Sequence, residues 1–259
     1  MFAARALRLG TLTIVAALAL GACNSAPALS DPTEILTKAI DAFQDAKTVH
    51  LAATLDGTFT MDLTGQGGGA MELTGTTLTG DVDIEHTKAK LTFAVPALLG
   101  LSGEVIAIDN ASYVKTSLTG EKYQKSDTTD SLPVDPSNPD ATIAEIKTFL
   151  EKPEISPTKG DDVDCNGEKC YSVTIELTAA ELASLSSPDP SASTDPGTGV
   201  NLTILVEKDS LKLHKVTATV AMGATGNLTV VLTFTDWDKA VTIEAPPDDQ
   251  VTEGGELPF

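Results

Sequence analysis

The feature that most constrains the fold is a long alternation of apolar and polar residues that begins at Val49. Apolar side chains recur with a period of two from Val49 to Leu63, and threonine, aspartate or histidine occupies most positions between them. This is the period of a β-strand with one buried face. Similar alternation returns at Ala89–Val95, Tyr171–Leu177 and Leu228–Phe234, separated by short turns. The sequence therefore predicts an antiparallel sheet with one apolar face.

Two or three helices accompany about nine to eleven predicted strands. Asp31 is placed to cap a helix over residues 32–46, whose apolar side chains recur at helical spacing. A second helix is predicted over residues 140–152, and a third, over residues 178–185, begins with a capping box that includes Glu181. No βαβ alternation is present, so the predicted fold class is α+β with a meandering antiparallel sheet.

The first residues predict export and lipid attachment. Two arginines precede an apolar run, Leu9–Leu20, that is too short to span a bilayer. The following Leu20-Gly21-Ala22-Cys23 resembles a bacterial lipobox, whose cysteine is acylated and becomes the first residue of the mature chain. We therefore expect a signal peptide over residues 1–22, a palmitate-type acyl group on Cys23 and a polar tether over residues 23–30. The alternative is an ordinary signal peptide with an incidental cysteine.

The charge of the mature chain excludes several classes of partner. Arg5 and Arg8 are the only arginines among the 17 basic residues, so 15 lysines face 37 acidic residues after cleavage, a net charge of −22. Nucleic acid is excluded because no stretch has the basic density that phosphate backbones require. An anionic membrane would repel the protein apart from its anchor. We interpret the charge as the property that keeps an exported protein soluble.

Cys165 and Cys170 are the two cysteines that remain after Cys23. An oxidising compartment would allow them to pair, and Asn166-Gly167 between them is a strong signal for a tight turn. The sequence predicts a structural disulfide that staples a hairpin or loop tip. The alternative is a redox-active or metal-binding pair, which the lack of a histidine nearby in the sequence disfavours. No metal or cofactor is predicted.

Two stretches carry a resemblance to a known family. They are Asp45-Ala-Lys-Thr-Val-His-Leu51, where the first helix meets the first strand, and the ending from Phe234 to Pro247. Together with the lipobox and the strand-rich body, they resemble the mycobacterial lipoproteins LppX, LprA, LprF and LprG. This resemblance implies a half-barrel of antiparallel strands wrapped around two or three helices, similar to the carriers LolA and LolB. The Ser186–Gly199 insertion and the lack of arginine depart from that family.

The same resemblance implies a hydrophobic cavity that holds an acylated lipid or glycolipid, and for some members export through an efflux transporter. We expect one lipid-binding domain over residues 31–247, with a flexible insertion at 186–199 and an acidic tail at 248–259. The apolar face, the helices and the Pro96–Leu101 loop are expected to line the cavity, with that loop as its lip. The expected lining residues are Ile40, Phe43, Leu51, Ala53, Leu55, Phe59, Met61, Leu91, Phe93, Leu98, Leu99, Leu101, Ile146, Leu150, Val173, Ile175, Val220 and Leu232.

No motif predicts catalysis. His50, His86 and His214 lie in strand patterns without close sequence partners, and neither Gly-x-Ser-x-Gly nor His-Glu-x-x-His occurs. We expect a monomeric, non-enzymatic lipid carrier, anchored to the outer face of the cell membrane in the cell envelope. The alternative is a structural or interaction lipoprotein whose helices fill the concave side of the sheet. A hydrolase that uses His50 is a third hypothesis.

Overall fold

The computed structural model describes residues 28–61, 69–126, 139–185 and 197–253. These residues contain three α-helices, α1 (Pro32–Asp45), α2 (Pro139–Leu150) and α3 (Ala179–Leu185). The strands are β1 (Thr48–Met61), β2 (Gly69–Glu72), β3 (Thr76–Asp83), β4 (Lys88–Val95), β5 (Leu101–Ile108), β6 (Ala111–Thr116), β7 (Tyr123–Ser126), β8 (Thr158–Lys159), β9 (Val163–Cys165), β10 (Glu168–Thr178), β11 (Thr198–Glu207), β12 (Leu213–Met222), β13 (Gly226–Thr235) and β14 (Val251–Glu253).

All of these strands join one open sheet, in which β1 is central. The order is β14-β7-β6-β5-β4-β3-β1-β13-β12-β11-β10-β8, while β2 pairs with the end of β1 and β9 pairs with β10. Neighbouring strands are antiparallel, except that β14 runs parallel to β7. The predicted α+β class, an antiparallel half-barrel with helices on one side, is confirmed.

Two of the three predicted helix starts are confirmed by their capping hydrogen bonds. The Asp31 carboxylate accepts hydrogen bonds from the backbone N–H groups of Thr33, at 2.8 Å, and Glu34, at 3.3 Å. These bonds satisfy donors that have no partner within the first turn of α1. At α3, the Glu181 carboxylate accepts from the backbone N–H of Thr178 at 2.7 Å, and the Thr178 hydroxyl accepts in return from the Glu181 N–H at 3.4 Å. This reciprocal pair is the predicted capping box.

The main core lies between α1 and one half of the sheet. The α1 side chains of Ile35, Leu36 and Ala39 are buried against Val173 and Ile175 of β10. Helix α1 is amphipathic, so its apolar side faces the sheet while its lysine and aspartate side chains remain in solvent. Helices α2 and α3 complete this cluster with partly buried side chains near their ends: Phe149, Leu150 and Leu182.

Three aromatic rings join the end of α1 to the end of β13. The Phe43 ring meets the Trp237 ring edge-on at 5.7 Å between centroids, and the Phe234 ring stacks on Trp237 at 6.0 Å. The Trp237 indole N–H donates to the carbonyl of Leu213 at 3.2 Å. Edge-on and offset-stacked rings are favourable beyond their buried area, so this cluster fixes the position of α1 across the sheet.

Close backbone approach between β1 and β13 requires glycine at two positions. A Cβ on Gly57 would lie 2.2 Å from the carbonyl oxygen of Asn227, and one on Gly226 would lie 2.0 Å from the carbonyl oxygen of Thr58. Their φ angles, +126° and +137°, are also ones that side-chain-bearing residues rarely adopt. Glycine within a strand marks such an approach, and it allows the sheet to bend.

The outer face of the sheet carries a second apolar cluster, which the sequence did not predict. Ile106 and Ile108 of β5, together with Tyr123 of β7, are buried beneath Ile243. The segment after β13 therefore crosses the outer face as a strap rather than adding a strand at Val241–Ile243. Beyond the strap, β14 forms within the stretch expected to be an acidic tail and extends the edge at β7.

Several boundaries differ from their predicted positions. Strands β2 and β3 are separate and are joined by a turn at Gly75, which is closed by a 3.0 Å hydrogen bond from the Thr76 N–H to the Leu73 carbonyl. The predicted Pro96–Leu101 loop is shorter, since Leu101 already begins β5. The glycine-rich turn after Met61 and most of the insertion at residues 186–199 lie outside the described residues.

Candidate functional site

The inner face of the sheet continues far beyond the part that the helices cover. Strand register places Ala53 of β1 directly between Leu78 of β3 and Leu232 of β13. The alternation then extends the same face through Phe93 of β4 and Ala218 of β12. The result is a continuous apolar surface across the centre of the sheet.

Burial divides this surface into a closed part and an open part. On β10 the side chains of Val173 and Ile175 are 0% and 1% exposed beneath α1. On the central strands Val49 and Phe234 are buried near the end of α1, but the apolar side chains beyond them are only half-buried, because α1 and α3 pack on β10 and β11. We call this second part the open face. Its residues are Leu51, Ala53, Leu55, Phe59, Leu78, Leu91, Phe93, Val216, Ala218, Val220, Val230 and Leu232.

The structure distributes the predicted lining residues over three environments. Val173 and Ile175 lie in the closed part, while Ile40, Phe43 and Leu150 are half-buried on helices. The open face contains eight of the predicted residues: Leu51, Ala53, Leu55, Phe59, Leu91, Phe93, Val220 and Leu232.

The remaining predicted lining residues lie at the margins. Leu98 and Leu99 are 44% and 100% exposed on the β4–β5 turn, Leu101 is half-buried, and Ile146 of α2 is 44% exposed. The surroundings of the Met61 side chain lie outside the described residues. The lining role of all eighteen residues stays a prediction. The sequence analysis did not select Leu78, Val216 or Val230, although each follows the same alternation.

A surface pocket lies on the other side of the sheet. It has a volume of about 790 Å³ and is lined mainly by polar side chains of β4, β5 and β6, including Glu104 and Lys115. Beside it, Tyr123 donates to Glu104 and accepts from Lys115 at 3.2 Å. The residues lining this pocket include none of the predicted ones. Its mixed charges suit water or a polar solute rather than an acyl chain.

The predicted disulfide between Cys165 and Cys170 is present. It links β9 to β10 across the Asn166-Gly167 turn, in which both residues have positive φ. The Gly167 N–H also donates to the Asp164 carboxylate at 3.0 Å. The disulfide therefore staples a hairpin tip, as predicted.

One premise about this pair is wrong. The sequence analysis found no histidine close to the two cysteines, but β12 brings His214 to them, with its ring nitrogen and both sulfurs within 4.8 Å of one another. His214 also lies 3.6 Å from the Glu207 carboxylate. In the disulfide the sulfurs are not thiolates, so the three groups do not form a metal site in this state.

We expect the disulfide to contribute modestly to stability. Reducing it should lower the free energy of unfolding by about 2 kcal/mol, because it closes a loop of only a few residues. Urea denaturation of the Cys165→Ala/Cys170→Ala variant, compared with the reduced and oxidised wild-type chain, measures this. A loss of about 5 kcal/mol or more would contradict a purely local staple.

With the fold and the open face described, sequence comparison identifies the family. The family model described as LppX_LprAFG lipoprotein matches residues 31–243. The chain belongs to the LppX_LprAFG lipoprotein family. No curated protein sequence matches this chain. Among the described residues, no helix is both long and apolar enough to cross a membrane.

Solved structures of two LppX_LprAFG lipoproteins share this fold. LppX from Mycobacterium tuberculosis is 17% identical with a TM-score of 0.52, and the match covers 83% of this chain and 100% of that one. LprF from Mycobacterium bovis is also 17% identical with a TM-score of 0.52, covering 85% and 98%. At 17% identity, the similarity to LppX and LprF shows that the chain shares their fold.

The two stretches that carried the family resemblance meet at one junction. The Lys47 backbone N–H donates to the Asp238 carboxylate at 2.8 Å, and the Thr48 hydroxyl donates to the carbonyl of Lys239 at 2.6 Å. The Asp238 N–H returns a bond to the Thr48 carbonyl at 3.0 Å. In this LppX_LprAFG lipoprotein, both stretches therefore fasten the start of β1 to the chain that leaves β13.

Asp238 should make this junction sensitive to acid. A hydrogen bond from Lys212, followed by the Lys47 backbone N–H, lowers the pKa of Asp238 below its usual value. Because the native pKa is below the unfolded one, the stabilisation is present above about pH 4 and is lost as the pH falls through the native value.

The Asp238→Asn variant tests this expectation. We expect it to be less stable than the wild type at neutral pH, with the two urea midpoints converging as the pH falls from about 4 through the lowered native pKa of Asp238. Midpoints that stay separated by the same amount at every pH would contradict the role given to the Asp238 charge.

A hydroxyl–imidazole–carboxylate arrangement lies on the outer face. The His50 Nδ1 is 2.7 Å from the Asp81 carboxylate, and its Nε2 is 3.3 Å from the Thr79 hydroxyl. The hydroxyl, imidazole and carboxylate follow one another in the same order as in a hydrolase catalytic triad. However, β1 and β3 lie inside the sheet and their pairings engage the backbone N–H groups around His50. The backbone N–H groups of these strands are therefore not available to stabilise an oxyanion.

Proposed function

We propose that this protein is a non-enzymatic carrier that holds an acylated lipid or glycolipid against the open face. The observation that supports the proposal is the contrast in burial between the closed part under α1 and the half-buried apolar side chains of the central strands. Large exposed apolar surfaces on exported proteins mark binding sites. Membership of a lipoprotein family agrees with this function.

The chemistry of the open face suits hydrocarbon. Its side chains are leucine, valine, phenylalanine and alanine, which offer dispersion contacts and no hydrogen-bonding groups. Each methylene group removed from water contributes about 0.8 kcal/mol, so a long acyl chain binds tightly without any specific polar contact. Alanines such as Ala53 and Ala218 leave room beside the larger side chains. Such a surface therefore recognises the length and bulk of the acyl chain rather than one particular headgroup.

Attachment to the membrane is a further part of the proposal. Cys23 lies outside the described residues, and we propose that it carries the acyl anchor on the outer face of the cell membrane. A Cys23→Ser variant should lose incorporation of an alkyne-tagged palmitate that the wild-type chain acquires in a lipoprotein-processing bacterial host. Retained label on the variant would contradict the anchor. We also propose that the carrier is a monomer and that an efflux transporter supplies or receives the lipid.

Titration with a fluorescent sixteen-carbon acyl probe tests the carrier function. We expect saturable binding with about one probe per chain, and displacement by unlabelled long-chain lipids but not by short-chain ones. An acyl-saturated protein should also show a higher thermal midpoint, because a ligand that binds only the native state stabilises it.

The alternative, a structural lipoprotein with a filled core, predicts the opposite. In that case the probe should not bind, and the thermal midpoint should not depend on added lipid. Either result would contradict the proposed carrier function.

A further inference from the structure

Three exposed leucines lie together at one end of the sheet. Leu98 and Leu99, on the β4–β5 turn, are 44% and 100% exposed, and Leu118, on the β6–β7 turn, is 71% exposed. The Ser117 N–H donates to the Ser102 carbonyl at 2.7 Å, which places the two turns side by side. We call Leu98, Leu99 and Leu118 the lip. Only one other large apolar side chain in the described residues is exposed to this degree.

The two turns hold the lip in place. The Gly100 N–H donates to the Pro96 carbonyl at 3.1 Å, and the Leu118 N–H donates to the Thr116 hydroxyl at 3.3 Å. Leu99 has a φ of +55°, a left-handed conformation that leucine rarely adopts. The turn thus imposes a conformation unfavourable for leucine, and it leaves that side chain entirely in solvent. The exposure of Leu99 is therefore set by the turn.

The lip continues directly from the open face. Val95 and Leu101 flank the β4–β5 turn and pair with each other across the two strands. By the alternation of β4, Val95 lies on the same side as Phe93 of the open face. An acyl chain that leaves the open face at this end therefore meets the lip before it meets water.

We infer that the lip inserts into the hydrocarbon surface of a lipid bilayer, so that an acyl chain passes between that bilayer and the open face. This inference rests on the proposed carrier function. Three leucine side chains offer only a few hundred Å² of apolar surface. A standard protein interface buries ~800 Å² of surface on each partner, which is well above that area. This area is sufficient for insertion among acyl chains, because each buried methylene group adds independently to the free energy of insertion.

The charge of the chain defines how this contact works. At a net charge of −20, or −22 after the expected cleavage, the protein gains no electrostatic attraction to an anionic bilayer. Insertion therefore depends on apolar contact. It should persist at high salt on phosphatidylcholine vesicles and weaken as anionic lipid is added.

Tryptophan fluorescence with brominated lipids tests the inference. Trp237 is the only tryptophan, so Trp237→Phe provides a background in which Leu99→Trp, Leu118→Trp or the control Thr219→Trp reports on one position. Thr219 is exposed on the outer face of β12. With full-length protein and phosphatidylcholine vesicles brominated on their acyl chains, both lip positions should lose most of their fluorescence and the control should retain it. If all three positions retain the same fraction of their fluorescence, the inference is overturned, and the lip would instead bind a protein.

A second pair of variants guards against misfolding. Both variants are made in the Cys23→Ser background, so that the proposed acyl anchor does not hold the chain to the vesicle. Asparagine tolerates the φ of Leu99, so Leu99→Asn/Leu118→Ser should fold, and it should partition into the vesicles about tenfold or more weakly than the Cys23→Ser chain alone. Leu99→Met/Leu118→Met should partition like the Cys23→Ser chain. Unchanged partition of the first variant would contradict the lip. If the Cys23→Ser chain binds the acyl probe in vesicle-free solution but does not bind vesicles, the lip alone is refuted. If it binds vesicles but not the probe, the carrier function is refuted.

Discussion

Replacing Ala53 by tryptophan should weaken binding of the acyl probe by roughly a hundredfold. This factor is the effect expected when about four methylene groups of the acyl chain lose their contact with the protein. Ala53 is half-buried at the centre of the open face, between Leu78 and Leu232. An indole there would fill space that the acyl chain is proposed to occupy. Because the position is not tightly enclosed, the larger side chain should leave the free energy of unfolding close to that of the wild type.

The neighbouring residue provides a matched control. Ala52 is also half-buried, but it lies on the opposite face, paired with Thr79 and Thr233. The Ala52→Trp variant adds the same indole to the same strand, and it should bind the probe with wild-type affinity. Equal binding by the two variants, or an equal loss in both, would show that the open face is not where the chain is held.

Replacing Val173 by aspartate should destabilise the fold by about 4 kcal/mol or more. Val173 is 0% exposed on β10 beneath α1, so the new carboxyl group would be shielded from water. The cation on the paired strand, Lys159, is already engaged with the Asp162 carboxylate at 3.0 Å. The sequence analysis placed this residue in the lipid cavity. If it instead lined an open cavity, aspartate would reach water, impair lipid binding and leave stability almost unchanged.

Thr174→Asp is the control for this experiment. Thr174 adjoins Val173 on β10 but is half-buried on the other face, where a carboxylate remains hydrated. Its effect on the urea midpoint should correspond to less than about 1 kcal/mol. A stable Val173→Asp variant would contradict the division of the inner face into a closed and an open part.

The sequence predicted the fold where a local rule decides the outcome. The alternation after Val49 identified β1 and its inner face, and Asp31 and Glu181 marked two helix starts through capping geometry. The Asn166-Gly167 turn placed the disulfide. In each case the deciding residues lie within a few positions of one another. Such short-range signals can be read without knowledge of tertiary structure.

Features that depend on distant contacts were missed. The strap that buries Ile243 on Ile106 has the same apolar pattern as a strand, and only its position on the outer face distinguishes the two. His214 reaches the disulfide through the pairing of β12 with β11, which no local spacing reveals. For the site, alternation identified the inner face, but it could not show that α1 closes Val173 and leaves Ala53 open. That distinction depends on where the helix crosses the sheet.

The most direct test is to isolate the full-length protein under mild conditions from its native envelope and to identify the lipids that leave it on extraction. Mass spectrometry of the extract should show an acylated lipid at about one molecule per chain, and the same preparation of the Ala53→Trp variant should show little or none, while Ala52→Trp retains it. An extract without lipid from wild-type protein, or equal lipid from all three chains, would contradict the claim that the open face carries hydrocarbon.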